Sequence, residues 1–144
     1  MKQGMFYLLA LLFTPLVIAA GSPAGEWTIN DEQTGKKRVI LQLDVSGDSL
    51  TGTIVKVFPQ PGDSGFCKKC PGKFKDKSVQ NLQIIWGLKD KGNGLWEGGK
   101  ILDPQTGNIY KAKMSLDGDK LHVRGYLGIS AIGRTQTWVK NKHS

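Results

Sequence analysis

Two cysteines separated by two lysines form the motif of this sequence whose spacing bears most directly on chemistry. Cys67 and Cys70 have the spacing of a local disulfide, of a redox pair or of half a metal site. In an oxidising compartment the two thiols pair, and the disulfide pins the loop around them. A thioredoxin-like redox pair would accompany a βαβ pattern, which the sequence lacks. We therefore predict a structural disulfide and keep a thiol-redox role as an alternative.

The sequence offers few further ligands for a metal ion or a haem. A zinc site built on the two cysteines needs two more ligands, and only His122 and His143 are available. A c-type haem attachment needs a histidine directly after the second cysteine, where Pro71 stands. We predict no metal site and no cofactor.

Catalytic patterns are also missing from the sequence. Ser130 does not belong to a G-x-S-x-G nucleophile turn, and no H-E-x-x-H, Walker or Rossmann pattern occurs. The carboxylates fall mostly in turn segments, where pairing for acid–base work would be accidental. We predict no catalytic residues and no enzymatic activity.

Cationic, amide and aromatic side chains alternate along two neighbouring segments near the C-terminus. His122, Arg124 and Tyr126 share one side of the first segment if it is extended, and the second segment repeats the pattern with Arg134, Gln136 and Trp138. Facing an interior, such a cluster forms a cup for a carboxylate or phosphate. Facing solvent, it is a ladder of cross-strand pairs. Alternation leaves both readings open, and the predicted ligand-binding residues are Arg124, Tyr126, Arg134, Gln136, Trp138 and Tyr110.

A basic stretch with two aromatic residues surrounds the cysteine motif. Phe66 and Phe74 are interleaved with lysines, and Asp76 is the acidic residue among them. Such a loop suits an anionic membrane surface or envelope polymer, although lysine-rich solvated loops are also ordinary. The predicted surface-contact residues are Lys68, Lys69, Lys73, Lys75 and Lys77.

Short alternating or β-branched segments supply the elements that must position these residues. Turn signals separate them at close spacing, which is typical of a sandwich or barrel. Mostly tight connections favour an up-and-down antiparallel barrel, because closure removes exposed edges. Eight strands enclose an interior that side chains fill or that holds one small ligand. We predict an all-β barrel with strands at 25–29, 38–45, 50–58, 82–88, 95–102, 109–116, 120–126 and 133–139, and a long Cys-bearing loop at 59–78.

The N-terminal 20 residues have the pattern of a secretory signal peptide. Lys2 is followed by an almost purely apolar run from 6 to 20, and small residues come next. This run is short for a membrane span, and Pro15 interrupts it. Cleavage fits after Ala20 or after Ala24. We therefore expect one domain at 25–144, secreted or periplasmic, that is not an integral membrane protein after cleavage.

The charge of the chain bears on its partners. The formal net charge is +8, and removal of Lys2 with the leader leaves one unit less. Such an excess favours anionic partners. A secreted chain without a recognised nucleic-acid motif is a poor candidate for nucleic-acid binding.

Three segments of the C-terminal part carry a resemblance to a known family. They are GGKILDPQTGNIY at 98–110, LHVRGYLGIS at 121–130 and GRTQTW at 133–138. Together with the N-terminal G-E-W and the C-x-x-C, they resemble the bacterial secreted domain-of-unknown-function family 2147 (DUF2147). The resemblance covers nearly the whole chain after residue 24. It implies a calycin-like (lipocalin-like) barrel in the bacterial envelope and brings no established biochemical activity.

A further resemblance concerns barrel closure. Calycins often begin with G-x-W and present an arginine from the last strand across that tryptophan, and Gly25, Trp27 and Arg134 match these positions. A guanidinium over an indole gains about 0.5–2 kcal/mol. The resemblance thus implies that Arg134 and Trp27 close the barrel. The leading functional hypothesis is a binding module for a small amphipathic or anionic ligand, and the alternatives are an envelope-interaction protein and a thiol-redox protein.

Overall fold

Eight antiparallel strands follow one another along the chain and close into a barrel, with β1 hydrogen-bonded to β8. The structure, a computed structural model, describes residues 4, 8–15, 21–129 and 132–142. The strand order is that of an up-and-down meander, which confirms the predicted fold class. The strands are β1 (Gly25–Asn30), β2 (Lys37–Ser46), β3 (Ser49–Val57), β4 (Gln83–Asp90), β5 (Leu95–Leu102), β6 (Ile109–Asp117), β7 (Lys120–Tyr126) and β8 (Gly133–Lys140).

Period-two alternation sorts the side chains between the two faces of the sheet. In β6, Ala112 and Met114 are buried, whereas Lys111 and Ser115 are exposed. In β7, Leu121 and Val123 are buried. Because successive side chains of a strand point to opposite faces, one face of each strand supplies the interior of the barrel.

A β-bulge interrupts β5 at the Gly98-Gly99 pair. The pairing of β5 with β6 shifts register between Glu97 and Gly99. A Cβ at Gly99 would lie 2.6 Å from the carbonyl oxygen of Trp86, so only glycine lets the neighbouring strand approach this closely. The Gly-Gly pair therefore bends the strand without ending it.

The two ends of the barrel differ in their connections. At one end, the closed end, β2–β3, β4–β5 and β6–β7 are joined by tight turns. At the other end, the mouth, the connections span residues 31–36, 58–82, 103–108 and 127–132. The mouth therefore carries the longer loops, including the cysteine motif.

Tryptophan and leucine side chains fill the closed end. Trp27, Leu43 and Leu50 are fully buried, and Trp96 is nearly so. The segment before β1 covers them from below: Pro23 is fully buried, and its carbonyl oxygen accepts a hydrogen bond of 2.8 Å from Nε1 of Trp27. The interior is therefore packed at this end.

The cation that lies against Trp27 comes from the last residue of β8. Nζ of Lys140 lies 5.3 Å from the Trp27 ring centroid, and the two residues are paired across β1 and β8. The resemblance implied Arg134 at this place, but Arg134 is paired with Gly125 toward the mouth. The closing contact is made by Lys140, because the register of β1 against β8 brings the end of β8, not its beginning, to Trp27.

The long loop between β3 and β4 is anchored to the barrel at several points. Cys67 and Cys70 form a disulfide, and both are buried. A 3₁₀ turn, Gly72–Phe74, follows, and Phe74 stacks on Trp86 with ring centroids 5.6 Å apart. Any side chain at Gly107 would collide with the Lys69 carbonyl, so the loop also packs closely on the β5–β6 connection.

The predicted signal peptide spans residues 1–20, of which 1–3, 5–7 and 16–20 lie outside the described residues. Within 8–15, large apolar side chains such as Leu8 and Phe13 are exposed. In the described part of the chain, no helix has the length and apolar character needed to cross a membrane.

Candidate ligand-binding site

A cavity of about 1150 Å³ opens at the mouth of the barrel. Its walls include Ile29, Val39, Ile54 and Val123, and Trp138 lies at its base. Small-molecule pockets commonly measure about 300–1000 Å³ and are mostly apolar. The barrel is therefore packed at the closed end and hollow toward the mouth.

The inner face of β8 runs along this cavity from its rim to its base. Arg134, Gln136 and Trp138 are paired with Gly125, Val123 and Leu121 of β7, respectively. The Arg134 side chain is 72 % exposed, Gln136 is half-buried and Trp138 is fully buried. Three of the predicted ligand-binding residues therefore line the cavity at increasing depth.

A hydrogen bond orders the two deeper residues. Nε1 of Trp138 donates to Oε1 of Gln136 over 3.3 Å. Within the described ranges, no acceptor is found for the amide N–H donors of Gln136, which lines the cavity. Gln136 can therefore donate a hydrogen bond to a polar group of a ligand below the rim.

His122 and Arg124 lie on the outer face of the barrel. They are paired with Thr137 and Thr135, and Nη1 of Arg124 donates to Oγ1 of Thr135 over 2.8 Å. Apart from Tyr126 at the end of β7, the two alternating sets of the sequence therefore face opposite sides of the sheet. Because the pairing places inward Val123 beside inward Gln136, the residues on either side of Val123 point outward, and Arg124 lines no part of the cavity.

The two predicted tyrosines both reach the cavity. Tyr110 lines it from β6 and receives a hydrogen bond of 3.1 Å from Nδ2 of Asn108. Tyr126 lines the rim at the end of β7. Gly125 leaves space beside Tyr110, since a Cβ there would lie 3.5 Å from Cβ of Tyr110, an ordinary contact.

Two carboxylates at the mouth form ion pairs with arginines. Arg134 pairs with Glu32 of the β1–β2 loop. Arg38 donates to both carboxylate oxygens of Asp63, over 2.8 and 3.3 Å, and the backbone N–H of Gln60 also donates to Asp63. The Arg38 hydrogen bond, with the Gln60 N–H second, lowers the pKa of Asp63 below its usual value. This bidentate pair ties β2 to the long loop.

Two more carboxylates at the mouth accept hydrogen bonds from backbone N–H groups of its turns. Asp31 accepts backbone N–H bonds from Gln33 and Thr34, and the Thr34 bond is the main cause of a lowered Asp31 pKa. Asp103 accepts one from Gln105, which is usual for an aspartate in a turn. The acidic side chains that line the mouth are therefore engaged by the protein itself.

The lysines of the long loop divide into two groups. Lys68 and Lys69 line the mouth, whereas Lys73, Lys75 and Lys77 do not. Nζ of Lys68 lies 3.4 Å from Oδ1 of Asp76, and Nζ of Lys73 lies 5.2 Å from the ring of Phe74 on the barrel flank. Two of the five predicted surface-contact lysines therefore stand where the cavity opens.

Comparison with known proteins places this barrel in a family. Residues 25–140 match DUF2147, described as an uncharacterized protein conserved in bacteria. The chain belongs to DUF2147. No curated protein matches the chain. Among solved structures, protein HP1028 from the human pathogen Helicobacter pylori, which belongs to the lipocalin family, is similar with a TM-score of 0.70 and 16 % identity, over 83 % of this chain and 82 % of that chain.

At this identity the likeness to HP1028 concerns the fold alone. It agrees with the resemblance seen in the sequence, since the DUF2147 barrel has the eight-stranded, lipocalin-like architecture implied there.

Sequence reasoning missed two features of this DUF2147 site. Arg38, whose ion pair with Asp63 braces the mouth, has no local pattern that marks it. The β7–β8 loop exposes Leu127, Ile129 and Ile132. Apolar residues between glycines in a turn segment were the available signal for the second feature.

The cysteines and histidines show no metal-site geometry in the described residues. No group of three His, Cys, Asp or Glu side chains converges there. His143, considered as a zinc ligand, and Ser130 lie outside the described residues.

Proposed function

We propose that this DUF2147 protein is a non-enzymatic binding module that holds a small amphipathic ligand, anionic at one end, in its barrel. The observation that carries the proposal is the cavity of about 1150 Å³ at the mouth, above a packed closed end. A one-ended, apolar-walled cavity of this size buries a small molecule and leaves one end of it near solvent.

The distribution of polarity favours an amphipathic ligand over a uniformly polar one. The deep lining is built of aliphatic side chains and Trp138, which stabilise an apolar tail. Arg134, Lys68 and Lys69 stand at the rim, and Gln136 lies below them. Arginine and lysine bind carboxylate and phosphate groups, so an anionic head group fits the rim.

The compartment belongs to the same proposal. We place the mature protein in the periplasm or outside the cell, because the N-terminal pattern is that of a signal peptide and the disulfide is stable in an oxidising environment. Burial of both cysteines supports a structural disulfide over thiol exchange, since redox-active thiols are usually accessible.

Native mass spectrometry of protein purified from an envelope fraction tests whether a small ligand travels with it. The affinity for lauric acid is measured by its displacement of a fluorescent fatty acid from the protein. A positively charged amphiphile of the same chain length should bind more weakly, because the rim carries cations.

A cavity-filling variant makes the test specific to the barrel interior. Gly125→Leu places a side chain in the cavity at a position where a Cβ makes only ordinary contacts. We expect it to weaken lauric acid binding about tenfold or more, since overpacking costs about 1–3 kcal/mol. Ser115→Leu, on the outer face of β6, is the matched control.

The proposal fails if the wild-type protein binds neither anionic amphiphiles nor any copurifying small molecule. It also fails if Gly125→Leu and Ser115→Leu have the same affinity as the wild type while both remain folded by circular dichroism.

A further inference from the structure

Exposed apolar side chains concentrate around the mouth of the barrel. Leu127, Ile129 and Ile132 of the β7–β8 loop are 65, 64 and 70 % exposed, and Phe66 of the long loop is 50 % exposed. We call these four residues the apolar rim. Within 21–129 and 132–142, the only other exposed large apolar residue is Val139, which lies near the closed end. Such clustering marks an interaction surface, since scattered single residues are the ordinary case.

The two loops that carry the apolar rim share one opening. Phe66, Leu127 and Ile132 all line the mouth of the cavity. Ile129 lies in the same loop as Leu127 and Ile132. The rim therefore borders the route by which a ligand reaches the interior.

Exposed lysine side chains stand beside the apolar rim, with Lys68 in a solvent-exposed ion pair with Asp76. Nζ of Lys68 lies 5.3 Å from the Phe66 ring centroid, and Lys69 has no ion-pair partner in the part of the chain that the structure describes. The nearby carboxylates are already engaged, Glu32 by Arg134 and Asp63 by Arg38. The mouth therefore presents apolar side chains together with exposed lysines.

We propose that the mouth docks on an anionic lipid surface, with the apolar rim inserted at the interface and Lys68 and Lys69 among the head groups. Apolar insertion and attraction to anionic lipid act together in interfacial binding. Docking brings the cavity opening against the membrane, so an amphiphile would pass between lipid and barrel without crossing bulk water. This last step rests on the proposed binding function, whereas docking itself does not.

A second copy of the chain fits the apolar rim less well. Four side chains fall short of the roughly 800 Å² per partner that a stable interface buries. A two-fold arrangement would also bring Lys68 and Lys69 of both copies near one another, with like charges opposed. An anionic lipid surface would instead attract the same lysines.

Vesicle flotation tests the docking. The protein used should begin at Gly21, because the barrel and its Pro23 contact lie beyond the apolar leader, which would itself bind lipid. We expect it to float with phosphatidylglycerol-containing vesicles and much less with pure phosphatidylcholine vesicles. Binding should weaken as salt is raised.

Two sets of variants separate the apolar and the charged contributions. Combined L127S, I129S and I132S should lower partitioning at least about tenfold, with V139S as the matched control at the other end of the barrel. Combined K68Q and K69Q should lower it by roughly thirtyfold, about fivefold per lysine near an anionic surface. Exposed Lys91, which follows β4 at the closed end, and exposed Lys120, the first residue of β7, give the control pair K91Q and K120Q.

Equal partitioning of the rim variant and V139S overturns the proposal, as does equal partitioning onto neutral and anionic vesicles. The proposal is also overturned if the wild type does not bind vesicles but dimerises in a concentration-dependent way, and the rim variant does not dimerise. That result would assign the apolar rim to a second copy of the chain. Gly125→Leu, which fills the cavity and leaves the rim residues in place, should partition onto vesicles like the wild type, because docking does not need an occupied cavity. This distinguishes failed docking from failed ligand binding.

Discussion

Nζ of Lys140 lies 5.3 Å from the Trp27 ring centroid and 3.3 Å from the carbonyl oxygen of Ala24. One ammonium group thus joins the last strand, the first strand and the segment that precedes it. Nε1 of Trp27 bonds to the carbonyl oxygen of Pro23 in the same place. The closed end of the barrel is therefore held by contacts between the two ends of the domain.

Lys140→Met should lower the free energy of unfolding by about 1 kcal/mol, because it removes a cation–π contact and a hydrogen bond but keeps the apolar stem. Urea unfolding measures the difference. Arg134→Met should cost less, since its side chain is 72 % exposed and surface ion pairs contribute little. A larger loss for Arg134→Met would mean that the closing contact lies at Arg134 after all.

Protein that begins at Gly21 should be more stable than protein that begins at Gly25. The shorter form lacks buried Pro23, and the indole N–H of Trp27 loses its acceptor. An unsatisfied buried donor costs about 1–3 kcal/mol. Thermal or urea unfolding of the two forms measures this loss, and equal stability would contradict it. The same contacts lead us to expect that cleavage follows Ala20, which N-terminal sequencing of secreted protein checks.

Combined Cys67→Ala and Cys70→Ala should lower the free energy of unfolding by about 2 kcal/mol, the chain-entropy value for so short a loop. Reduction of the wild type under mild denaturant should produce a similar loss, and unfolding curves compare the two. Insulin reduction should be negligible for the wild type because both cysteines are buried. Efficient insulin reduction that C67A abolishes would instead establish the thiol-redox alternative.

Asp63→Asn should destabilise the protein at neutral pH by about 0.5–1 kcal/mol, because it breaks a partly exposed bidentate pair with Arg38. The folded pKa of Asp63 lies below its unfolded value. Its contribution is therefore fully present above the unfolded pKa near about 4 and is lost as the pH falls through the folded pKa. The difference between wild type and variant should accordingly shrink as the pH falls below about 4.

Urea unfolding at several pH values follows this dependence. Asp48→Asn serves as the control, since the exposed Asp48 carboxylate lies 3.7 Å from Nζ of Lys89 in a closed-end contact. A difference for Asp63→Asn that stayed constant into acid would show that Arg38 does not act through the ionised carboxylate.

Arg134→Gln should weaken binding of lauric acid more than Arg124→Gln does. Arg134 lies at the rim of the cavity, whereas Arg124 donates to Thr135 on the outer face. A charge-assisted hydrogen bond at a partly exposed site is worth about 1–2 kcal/mol, so we expect about fivefold to thirtyfold. Displacement of a fluorescent fatty acid measures the affinity of both variants. A larger effect for Arg124→Gln would show that the head group contacts the outer face of the barrel.

Most of the fold could be predicted because its signals are local. Alternation and turn residues gave strand bounds within two residues of those observed. Each of these features depends on neighbours in the chain. The apolar rim could not be predicted for the opposite reason, since the exposure of Leu127 or Ile132 depends on which residues the rest of the barrel buries.

Sequence alone determined the all-β barrel, the local disulfide and the fact that Arg134, Gln136 and Trp138 share one side of their strand. Only the tertiary structure decided that this side faces inward, that Arg124 faces outward and that Lys140 meets Trp27. The physical reason is the two-residue period of a strand. Which residues share a side is local, but a shift of one residue in pairing exchanges the two faces, and pairing is set by burial across the whole sheet.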